Sequence, residues 1–300
     1  MISVIICTYN RAGYIYHVLE CLAANDCPKD DYEIVLVDNN CTDNTADEVG
    51  RFKADYPDIR FKYCVETSQG LSYARNRGIR EAEGDVIVFL DDDAFPGTDY
   101  LSTISDALGR HEEIDCFGGM ITPLFDNCSA PDWLCKWSLS WVSGLDMGDS
   151  LVRFSKGFPI GANMGFRKKV FDTCGDFNVS LGRSSKNLMG GEEKDMFQRI
   201  RGKGFGIFYL PGIEVKHVIP ESRTTLEYVS KLGKGVGASE RLRTKAEGTL
   251  SYLKRVLSEA VKWGGTVAIW LVYSISERRS CGNALVRFRW NVTKTLLNSQ

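Results

Sequence analysis

The first 90 residues alternate continuous apolar runs with stretches in which apolar residues recur at helical spacing. Residues 2–8 form an unbroken β-rich run, which is typical of a strand buried on both faces. The predicted strands are 2–8, 32–37, 60–65 and 85–90, and the predicted helices are 14–24, 45–56 and 71–81. This alternation predicts a parallel sheet with helices on both faces.

The pattern is less regular after residue 120. Residues 123–158 are rich in Trp, Pro and Gly and indicate an irregular insertion. Within it, Trp133, Trp137 and Trp141 recur every four residues and predict a short helix at 131–142. The remaining predicted elements are strands at 161–167 and 206–210, a helix at 192–203, and helices with basic faces from Thr224 onward.

Charge is distributed unevenly along an otherwise ordinary globular composition. The 300 residues are 43% hydrophobic and 25% charged, which excludes collagen-like and disordered chains. Residues 221–300 hold 14 Lys and Arg against 6 Asp and Glu, whereas residues 1–220 hold 23 against 33. An acidic body indicates that a phosphate group would bind to it through metal ions. A basic tail indicates an anionic surface nearby. The formal net charge of −2 gives no case for nucleic-acid binding.

Cysteine usage and the N-terminal pattern favour a reducing compartment. The ten cysteines include no CxxC pair, which excludes a zinc ribbon or a thioredoxin motif, and several lie in apolar runs. Met1 leads directly into the first predicted strand, so we expect no signal peptide. The longest apolar stretch, 261–276, is interrupted by Lys262 and falls short of the roughly 20 residues that span a bilayer. We therefore expect a cytoplasmic protein.

Polar clusters follow three of the predicted strands. Residues 8–11 follow the first strand, residues 38–40 the second and residues 91–93 the fourth. Because the carboxyl ends of parallel strands meet at one edge of a sheet, we expect these clusters to converge there. In extended backbone Asp91 and Asp93 point to the same side, and such a pair suits Mg²⁺ or Mn²⁺ with bound phosphate oxygens. The alternative is a solvated acidic turn.

A second acidic cluster occupies residues 190–195, where two glycines precede three acids. The glycines predict a tight loop that opens a helix. Acids in the first turn of a helix stabilise it through its dipole. The alternative is that one carboxylate reaches the cleft and acts as a general base. Composition leaves both interpretations open.

Six segments, taken in order, resemble glycosyltransferase family 2. They are residues 4–11, 34–43, 70–78, 91–93, 161–167 and 190–195. The resemblance extends over residues 1–220 and implies the GT-A fold, an α/β Rossmann-like fold of nucleotide-diphospho-sugar transferases with a mostly parallel central sheet. It implies a catalytic domain at 1–220, with a donor half of about 1–120 and an acceptor half of about 121–220 that carries the insertion 123–158. A basic, amphipathic helical extension would then occupy 221–300.

The resemblance also implies how a nucleotide-sugar donor is held. The implied donor-binding residues are Thr8, Tyr9, Asn10 and Arg11 beside the nucleotide, Asp38 on the base, Arg75 on the base or the phosphates, and Asp91 and Asp92. In this family Asp91 faces the ribose or the sugar, and Asp93 holds the metal ion, Mg²⁺ or Mn²⁺. His217 would join the metal or touch the diphosphate. For Arg75 and His217 the alternative is a surface role without a ligand.

Catalytic and acceptor residues are implied in the same way. Glu193 stands at the position of the base, where Asp is commoner in the family. Because Glu is one methylene longer, Glu192 and Asp195 remain candidates for the same role. Contact with the acceptor or the sugar is implied for Asn163 and, as the alternative to packing in the core, for Trp133.

The implied function is inverting transfer of a sugar from a nucleotide-diphosphate donor, most commonly a UDP-sugar, to a hydroxyl of a saccharide or lipid-linked acceptor. Cell-surface polysaccharide or oligosaccharide assembly is the implied setting. One alternative is a non-catalytic relative that binds a sugar or a partner. A nucleotidyltransferase is disfavoured because no phosphate loop rich in Gly and Lys follows the first strand.

The tail suggests a location at the inner face of the membrane. Trp263, Trp270 and Trp290 lie among basic residues. Amphipathic helices of this composition at 251–300 are typical of peripheral contact with a membrane surface. The alternative is a helical extension packed on the body or on another subunit.

Overall fold

The computed structural model describes residues 1–181, 191–275 and 278–298. Contacts between residues divide the chain into two compact units. The first comprises Met1–Pro123 and Gly144–Val218, and the second comprises Leu124–Ser143 and Ile219–Gln300. The sequence predicts that 123–158 belongs wholly to the catalytic domain. The structure instead groups 124–143 with the C-terminal helices, because Trp133 shares an apolar core with them.

The first unit is built on one sheet, to which nine strands of the described residues contribute. The strands are β1 (Ile2–Thr8), β2 (Tyr32–Asp38), β3 (Phe61–Val65), β4 (Val86–Asp91), β5 (Ala94–Pro96), β6 (Cys116–Asp126), β7 (Val152–Arg153), β8 (Asn163–Arg167) and β9 (Ile207–Pro220). Their order is β3-β2-β1-β4-β8-β6-β9-β5, and β7 pairs with β9. The first four strands are parallel, as predicted.

The parallel register brings the ends of these strands to one edge. Thr8 lies opposite Asp38, and the neighbouring residue Cys7 lies opposite Asp91. Side chains of β1 alternate between two apolar cores, with Val4 in one and Ile5 in the other, and both are fully buried. A central strand is buried on both faces, which explains why the sequence of β1 is an unbroken apolar run.

Helices cover both faces of the sheet. They are α1 (Ala12–Ala23), α2 (Thr45–Asp55), α3 (Leu71–Glu81), α4 (Tyr100–Arg110), α5 (Lys169–Cys174) and α6 (Glu192–Gly202). Residues of α1, α2 and α4 pack in the core that contains Val4, whereas residues of α3, α5 and α6 pack in the core that contains Ile5. The predicted α/β architecture is therefore confirmed. α4 and β6 are not among the elements predicted from the sequence.

Beyond β4 the strands are antiparallel, and β9 is longer than the sequence predicts. β8 pairs with β4, and β9 pairs with β5, where Ala94 lies opposite His217. The apolar run that predicts a strand at 206–210 is interrupted by Pro211 and Gly212. The strand nevertheless continues to Pro220, since side chains alternate between buried and exposed from Ile213 to His217. This extension carries His217 to the edge of the site.

The second unit combines three helices of the described residues with the segment 124–143. The helices are α7 (Leu226–Ala246), α8 (Thr249–Ser274) and α9 (Arg279–Leu297). The helix predicted at 131–142 does not form, and a single 3₁₀ turn at Leu139–Val142 replaces it. Within the described residues, no helix has the length and apolar character needed to cross a membrane.

Candidate functional site

Two carboxylates and one imidazole meet at the carboxyl end of β4. Asp91 is the last residue of β4, Asp93 follows two residues later, and His217 belongs to β9. His217 Nε2 lies 3.2 Å from Asp93 Oδ1 and 3.8 Å from Asp91 Oδ2. One candidate ligand atom from each of the three residues lies within 4.8 Å of the other two. The structure thus brings together three side chains that the sequence analysis associates with metal and donor.

This set of donor atoms fits a divalent metal ion. Carboxylate oxygens suit Mg²⁺ and Mn²⁺, and an imidazole nitrogen is a common ligand of transition-metal ions. Three protein ligands leave coordination positions for the oxygens of another molecule. The side chains of Asp93 and His217 are 5% and 3% exposed, whereas that of Asp91 is 39% exposed. The centre therefore opens to solvent on the side of Asp91.

Arg11 provides positive charge beside the same carboxylates. Its guanidinium contacts the Asp93 carboxylate, and Arg11 Nε lies 3.8 Å from Asp92 Oδ1. Burial, together with the charge of Asp93, raises the pKa of Asp92 to about 8. Burial thus disfavours the charged form of Asp92 most, the neighbouring Asp93 adds to the effect, and the positive charge of Arg11 opposes it.

The loop after β1 is tied to the loop after β2. Asn10 has a φ of 55°, a left-handed conformation that Asn tolerates better than most residues. Its Oδ1 accepts a hydrogen bond of 2.7 Å from the backbone N–H of Thr42. The backbone N–H of Ala12 donates to Asp43 Oδ2 across 2.9 Å. Between these anchors, Tyr9 remains 41% exposed and can contact a ligand at the edge of the sheet.

The carboxylate of Asp38 is held in place by both of its oxygens. Tyr63 donates its hydroxyl to Oδ2 across 2.6 Å, and the backbone N–H of Cys41 donates to Oδ1 across 2.6 Å. Burial, reinforced by the Asp38 carboxylate, raises the pKa of Tyr63, so the hydroxyl stays protonated and keeps donating. Asp38 is therefore a fixed acceptor at the end of β2.

Asn39 braces the neighbouring loop, a role that the sequence analysis did not assign. Its amide nitrogen donates to the carbonyl oxygens of Glu66 and Ser68 across 2.9 and 2.7 Å. Its amide oxygen accepts from the backbone N–H of Gly70 across 2.8 Å. An Asn at a strand end commonly bonds to nearby backbone, which is the signal that could have indicated this role.

Arg75 holds the two glutamates of α6. Its guanidinium lies 3.0 Å from Glu193 Oε1 and 3.3 Å from Glu192 Oε1. The family resemblance implies that Arg75 faces the base or the phosphates, but its side chain is 3% exposed and pairs with these two carboxylates. The Glu193 side chain is 23% exposed against 3% for Glu192. Glu193 is thus the more accessible acid of the pair.

The glutamate pair lies on the same side of β4 as Asp91, one of the three residues of the metal-type centre. Phe89 and Asp91 are two positions apart on β4, so their side chains face the same side of the sheet. The Arg75 guanidinium lies 5.8 Å from the centre of the Phe89 ring. Burial raises the pKa of Glu193, Arg75 opposes this rise, and the charges of Glu192 and Asp91 add to it. The negative charge of Asp91 thus disfavours the ionised form of Glu193.

Gly161 makes room for the ion pair between Arg75 and Glu193. A methyl group at this position would overlap both Glu193 Oε1 and Arg75 Nη2. Glycine therefore lets the ends of these two side chains approach the backbone, and a larger residue would push them aside. In the sequence, Gly161 is recognisable only as part of the segment 161–167 and has no predicted role of its own.

Two further candidates have partners of their own. Asp195 Oδ2 accepts from Arg199 Nε across 2.9 Å, one turn further along α6. Asn163 is fully buried, where it accepts from the Tyr100 hydroxyl across 2.7 Å and donates to the carbonyl oxygens of Met120 and Ile213. The structure therefore uses the Asn163 amide to join parts of the first unit instead of presenting it to a sugar. Gly190, which opens the acidic motif, lies outside the described residues.

Trp133 belongs to the core of the second unit. It is 4% exposed, and its indole N–H donates to the carbonyl oxygen of Thr224 across 2.7 Å. Its ring packs on Trp141 with 5.7 Å between ring centres. These contacts match the core-packing alternative for this residue.

The sequence of the first unit matches the model of a known family. Residues 3–175 match "Glycosyl transferase family 2". The chain belongs to glycosyltransferase family 2. It is 25% identical over 242 residues to glucosyl-dolichyl phosphate glucuronosyltransferase of Haloferax volcanii, a match that covers 76% of this chain and 72% of that protein.

The similarity to a second relative extends over a shorter segment. The chain is 31% identical over 133 residues to dolichyl N-acetyl-alpha-D-glucosaminyl phosphate 3-beta-D-2,3-diacetamido-2,3-dideoxy-beta-D-glucuronosyltransferase of Methanococcus voltae. That match covers 43% of this chain and 41% of the relative, so the chain spans about two fifths of that protein's length.

Solved structures show the same fold as this family 2 enzyme. The mannosyltransferase PcManGT from Pyrobaculum calidifontis, in complex with GDP-Man and Mn²⁺, has a TM-score of 0.65 at 18% identity over 100% of this chain and 88% of its own. Residues 1–349 of TarS from S. aureus, in complex with UDP, have a TM-score of 0.54 at 18% identity over 98% of this chain and 90% of its own. The predicted GT-A fold and glycosyltransferase class are confirmed.

Proposed function

We propose that this protein transfers a sugar from a nucleotide-diphosphate donor to a hydroxyl of a lipid-linked saccharide, with inversion at the anomeric carbon. The single observation that carries the proposal is the joint location of two groups at one sheet edge. One is the cluster Asp91, Asp93 and His217, and the other is the Glu193 carboxylate held by Arg75. We assign the chemistry to the first unit, which contains both.

The donor base and ribose would bind along the ends of β1 and β2. Asp38 offers a carboxylate fixed by Tyr63 and Cys41, which suits the N–H and hydroxyl groups of a nucleoside. Tyr9 offers an exposed aromatic ring beside it. Uridine is our proposed base, and solved structures of the same fold contain both UDP and GDP-Man.

The donor diphosphate would bind at the carboxyl end of β4. Asp91, Asp93 and His217 would hold Mg²⁺ or Mn²⁺ there, and such an ion neutralises charge on a departing diphosphate. Arg11 adds a second positive charge at the same carboxylates. With a metal ion held by these acids, the Arg11 guanidinium would be able to donate hydrogen bonds to phosphate oxygens.

Glu193 would accept the proton of the acceptor hydroxyl. The acceptor oxygen forms a bond to the anomeric carbon as the bond from that carbon to the diphosphate oxygen breaks. The proton moves to Glu193 Oε, and the nucleoside diphosphate leaves with the bonding electron pair. A single displacement of this kind inverts the anomeric configuration. Arg75 and Gly161 fix the carboxylate in position, and general-base assistance is worth about 10²–10⁴-fold in rate.

The proposed acceptor class rests on the relatives. The proteins from Haloferax volcanii and Methanococcus voltae are named for transfer to dolichyl phosphate sugars. We propose a polyprenyl-phosphate-linked saccharide as acceptor for this chain, used at the cytoplasmic face of a membrane in cell-surface glycan assembly.

A thermal-shift screen followed by a turnover assay tests this function. UDP, GDP, UDP-glucose, UDP-N-acetylglucosamine, UDP-glucuronic acid and GDP-mannose are each added with Mn²⁺ or with EDTA. We expect one nucleotide class to raise the melting temperature in the presence of metal, because a ligand of the folded state stabilises it. The shift should disappear in Asp93→Asn, whose side chain has lost a carboxylate oxygen. No shift with any nucleotide would overturn the donor site.

Turnover separates an enzyme from a sugar-binding relative. Release of nucleoside diphosphate from the identified donor is measured with a polyprenyl-phosphate saccharide or with a simple saccharide as acceptor. An enzyme loses turnover in Glu193→Gln while it still binds the nucleotide. A binding protein shows the nucleotide shift but no release from any acceptor, and that result would overturn the proposed transfer.

A further inference from the structure

The solvent-facing side of α8 is apolar along its length. From Leu250 to Val261 its large apolar side chains recur every three or four residues, and Leu271 and Ile275 return to the same side about three turns further on, so they share one face. They are Leu250, Leu253, Leu257, Val261 and Leu271, which are 66%, 51%, 68%, 78% and 55% exposed, followed by Ile275 at 90%. With 26 residues the helix is about 39 Å long, so this face is an extended strip.

The charges on this side of α8 are of one sign. Lys254 and Lys262 are exposed. Glu259 is the single carboxylate of the helix, and it lies on the opposite side, 2% exposed. It is bound by Arg255 across 2.6 Å and by Arg289 across 3.0 Å. The surface that α8 offers to solvent therefore combines an apolar strip with lysines and presents no negative charge of its own.

The tryptophans that suggest membrane contact in the sequence are mostly occupied within the protein. The indole N–H of Trp263 donates to Thr293 Oγ1 across 2.9 Å, and that of Trp270 donates to Asn283 Oδ1 across 3.1 Å. Trp290 is 61% exposed but lies on α9. The large exposed apolar side chains are instead concentrated on the face of α8.

We propose that this face of α8 docks on an anionic lipid surface and lies parallel to it. Leucine and valine side chains would enter the boundary between headgroups and acyl chains, and Lys254 and Lys262 would contact lipid phosphates. A second copy of the chain fits this face less well, because a symmetric pair of such faces brings lysines together without any carboxylate of α8 to balance them. Docking of this kind does not depend on the proposed transfer reaction.

Sedimentation with lipid vesicles tests the proposal without any sugar donor. The full chain is mixed with vesicles of phosphatidylcholine alone or of phosphatidylcholine mixed with the anionic lipid phosphatidylglycerol. We expect binding to the anionic vesicles that weakens as salt is added, since exposed charges are screened. The double variant Leu257→Glu/Val261→Glu should bind at least about tenfold more weakly, because it places charges in the apolar strip.

Val236→Glu/Leu242→Glu is the matched control. Val236 and Leu242 are 37% and 57% exposed on α7, so this pair of changes adds the same two charges on a different helix, and it should bind like the unchanged protein. Circular dichroism verifies that each variant is folded. Equal binding by the double variant and the control would overturn the proposal. So would absence of binding to anionic vesicles, or a solution dimer that the double variant dissociates without any vesicle binding.

Discussion

The Arg75 guanidinium and the Glu193 carboxylate lie 3.0 Å apart although 118 positions separate them in the chain. Arg75 is itself fixed, since its guanidinium lies 5.8 and 5.2 Å from the ring centres of Phe89 and Phe177. The same group also binds Glu192. The orientation of the proposed base is therefore set by α3 and the sheet as well as by its own helix.

Glu193→Gln should remove turnover and preserve nucleotide binding. The amide keeps the shape of the side chain but cannot accept the proton, so we expect kcat to fall by about 10²–10⁴-fold. Steady-state kinetics measure kcat, and calorimetric titration with the nucleoside diphosphate measures Kd. Asp195→Asn is the control, because Asp195 pairs with Arg199 and not with Arg75. Equal losses in the two variants would argue against Glu193 as the base.

The activity should fall on the acid side at a higher pH than an ordinary glutamate would give. Burial raises the pKa of Glu193 from its ordinary value of 4.5, Arg75 opposes the rise, and Glu192 and Asp91 reinforce it. The base must be deprotonated to act, so activity is lost as the pH falls through this raised pKa. The pH profile of kcat with saturating donor measures it.

Glu192→Gln should shift that acid limb to lower pH. Removing the like charge of Glu192 lowers the pKa of Glu193 and leaves Arg75 paired with it. Asp195→Asn should leave the limb where it is. An acid limb that does not move in Glu192→Gln would show that another group controls it.

Gly161→Ala should reduce kcat while the fold is preserved. The added methyl overlaps Glu193 Oε1 and Arg75 Nη2, so it displaces the base from its position. A small misplacement of a reacting group can cost about 10²-fold in rate. Gly109→Ala is the control, because a methyl there meets nothing within 4 Å. Kinetics and thermal unfolding of both variants are compared, and unchanged kcat in Gly161→Ala would refute the positioning role.

The fold could be predicted where a single local pattern decides the element. Residues 2–8 and 71–81 match β1 and α3 because an unbroken apolar run and a helical repeat leave little choice. The prediction was wrong for 131–142, where tryptophans at helical spacing pack in a core without forming the helix. It was also too short for β9, since Pro211 and Gly212 hide the alternation that follows them.

Long-range pairing limited what could be predicted of the site. The acids at the end of β4 were recognisable because a buried strand delivers them at the sheet edge. The partner of Arg75 was not, because 118 residues separate it from Glu193 and no local pattern encodes that pairing. Asn163 likewise has a motif that suggests a ligand, whereas its amide bonds to Tyr100 in the interior.

Loss of a ligand at the metal-type centre should weaken metal binding in the absence of any donor. Asp93→Asn and His217→Ala each remove one of three candidate ligands. We expect the Kd for Mn²⁺ to rise by more than about tenfold, a loss that even supporting residues of metal sites can produce. Electron paramagnetic resonance of free Mn²⁺ measures it. Asp85→Asn is the control, since its side chain is 94% exposed, and similar Kd values for all variants would contradict the assignment.

Glu259→Gln should destabilise the second unit by about 3 kcal/mol, because Arg289 would lose its carboxylate partner and Arg255 would keep only Glu240. All six tryptophans lie in this unit, so their fluorescence follows its unfolding.

Burial raises the pKa of Glu259, but the two arginines outweigh this effect and lower the pKa below 4.5. The stabilisation is thus present above pH 4.5 and is lost as the pH falls through the lowered pKa, where variant and unchanged protein should converge. Glu227→Gln is the control, because Glu227 forms an exposed pair with Lys231, and this variant should unfold like the unchanged protein. An equal effect of both variants would show that the buried network does not stabilise the helices.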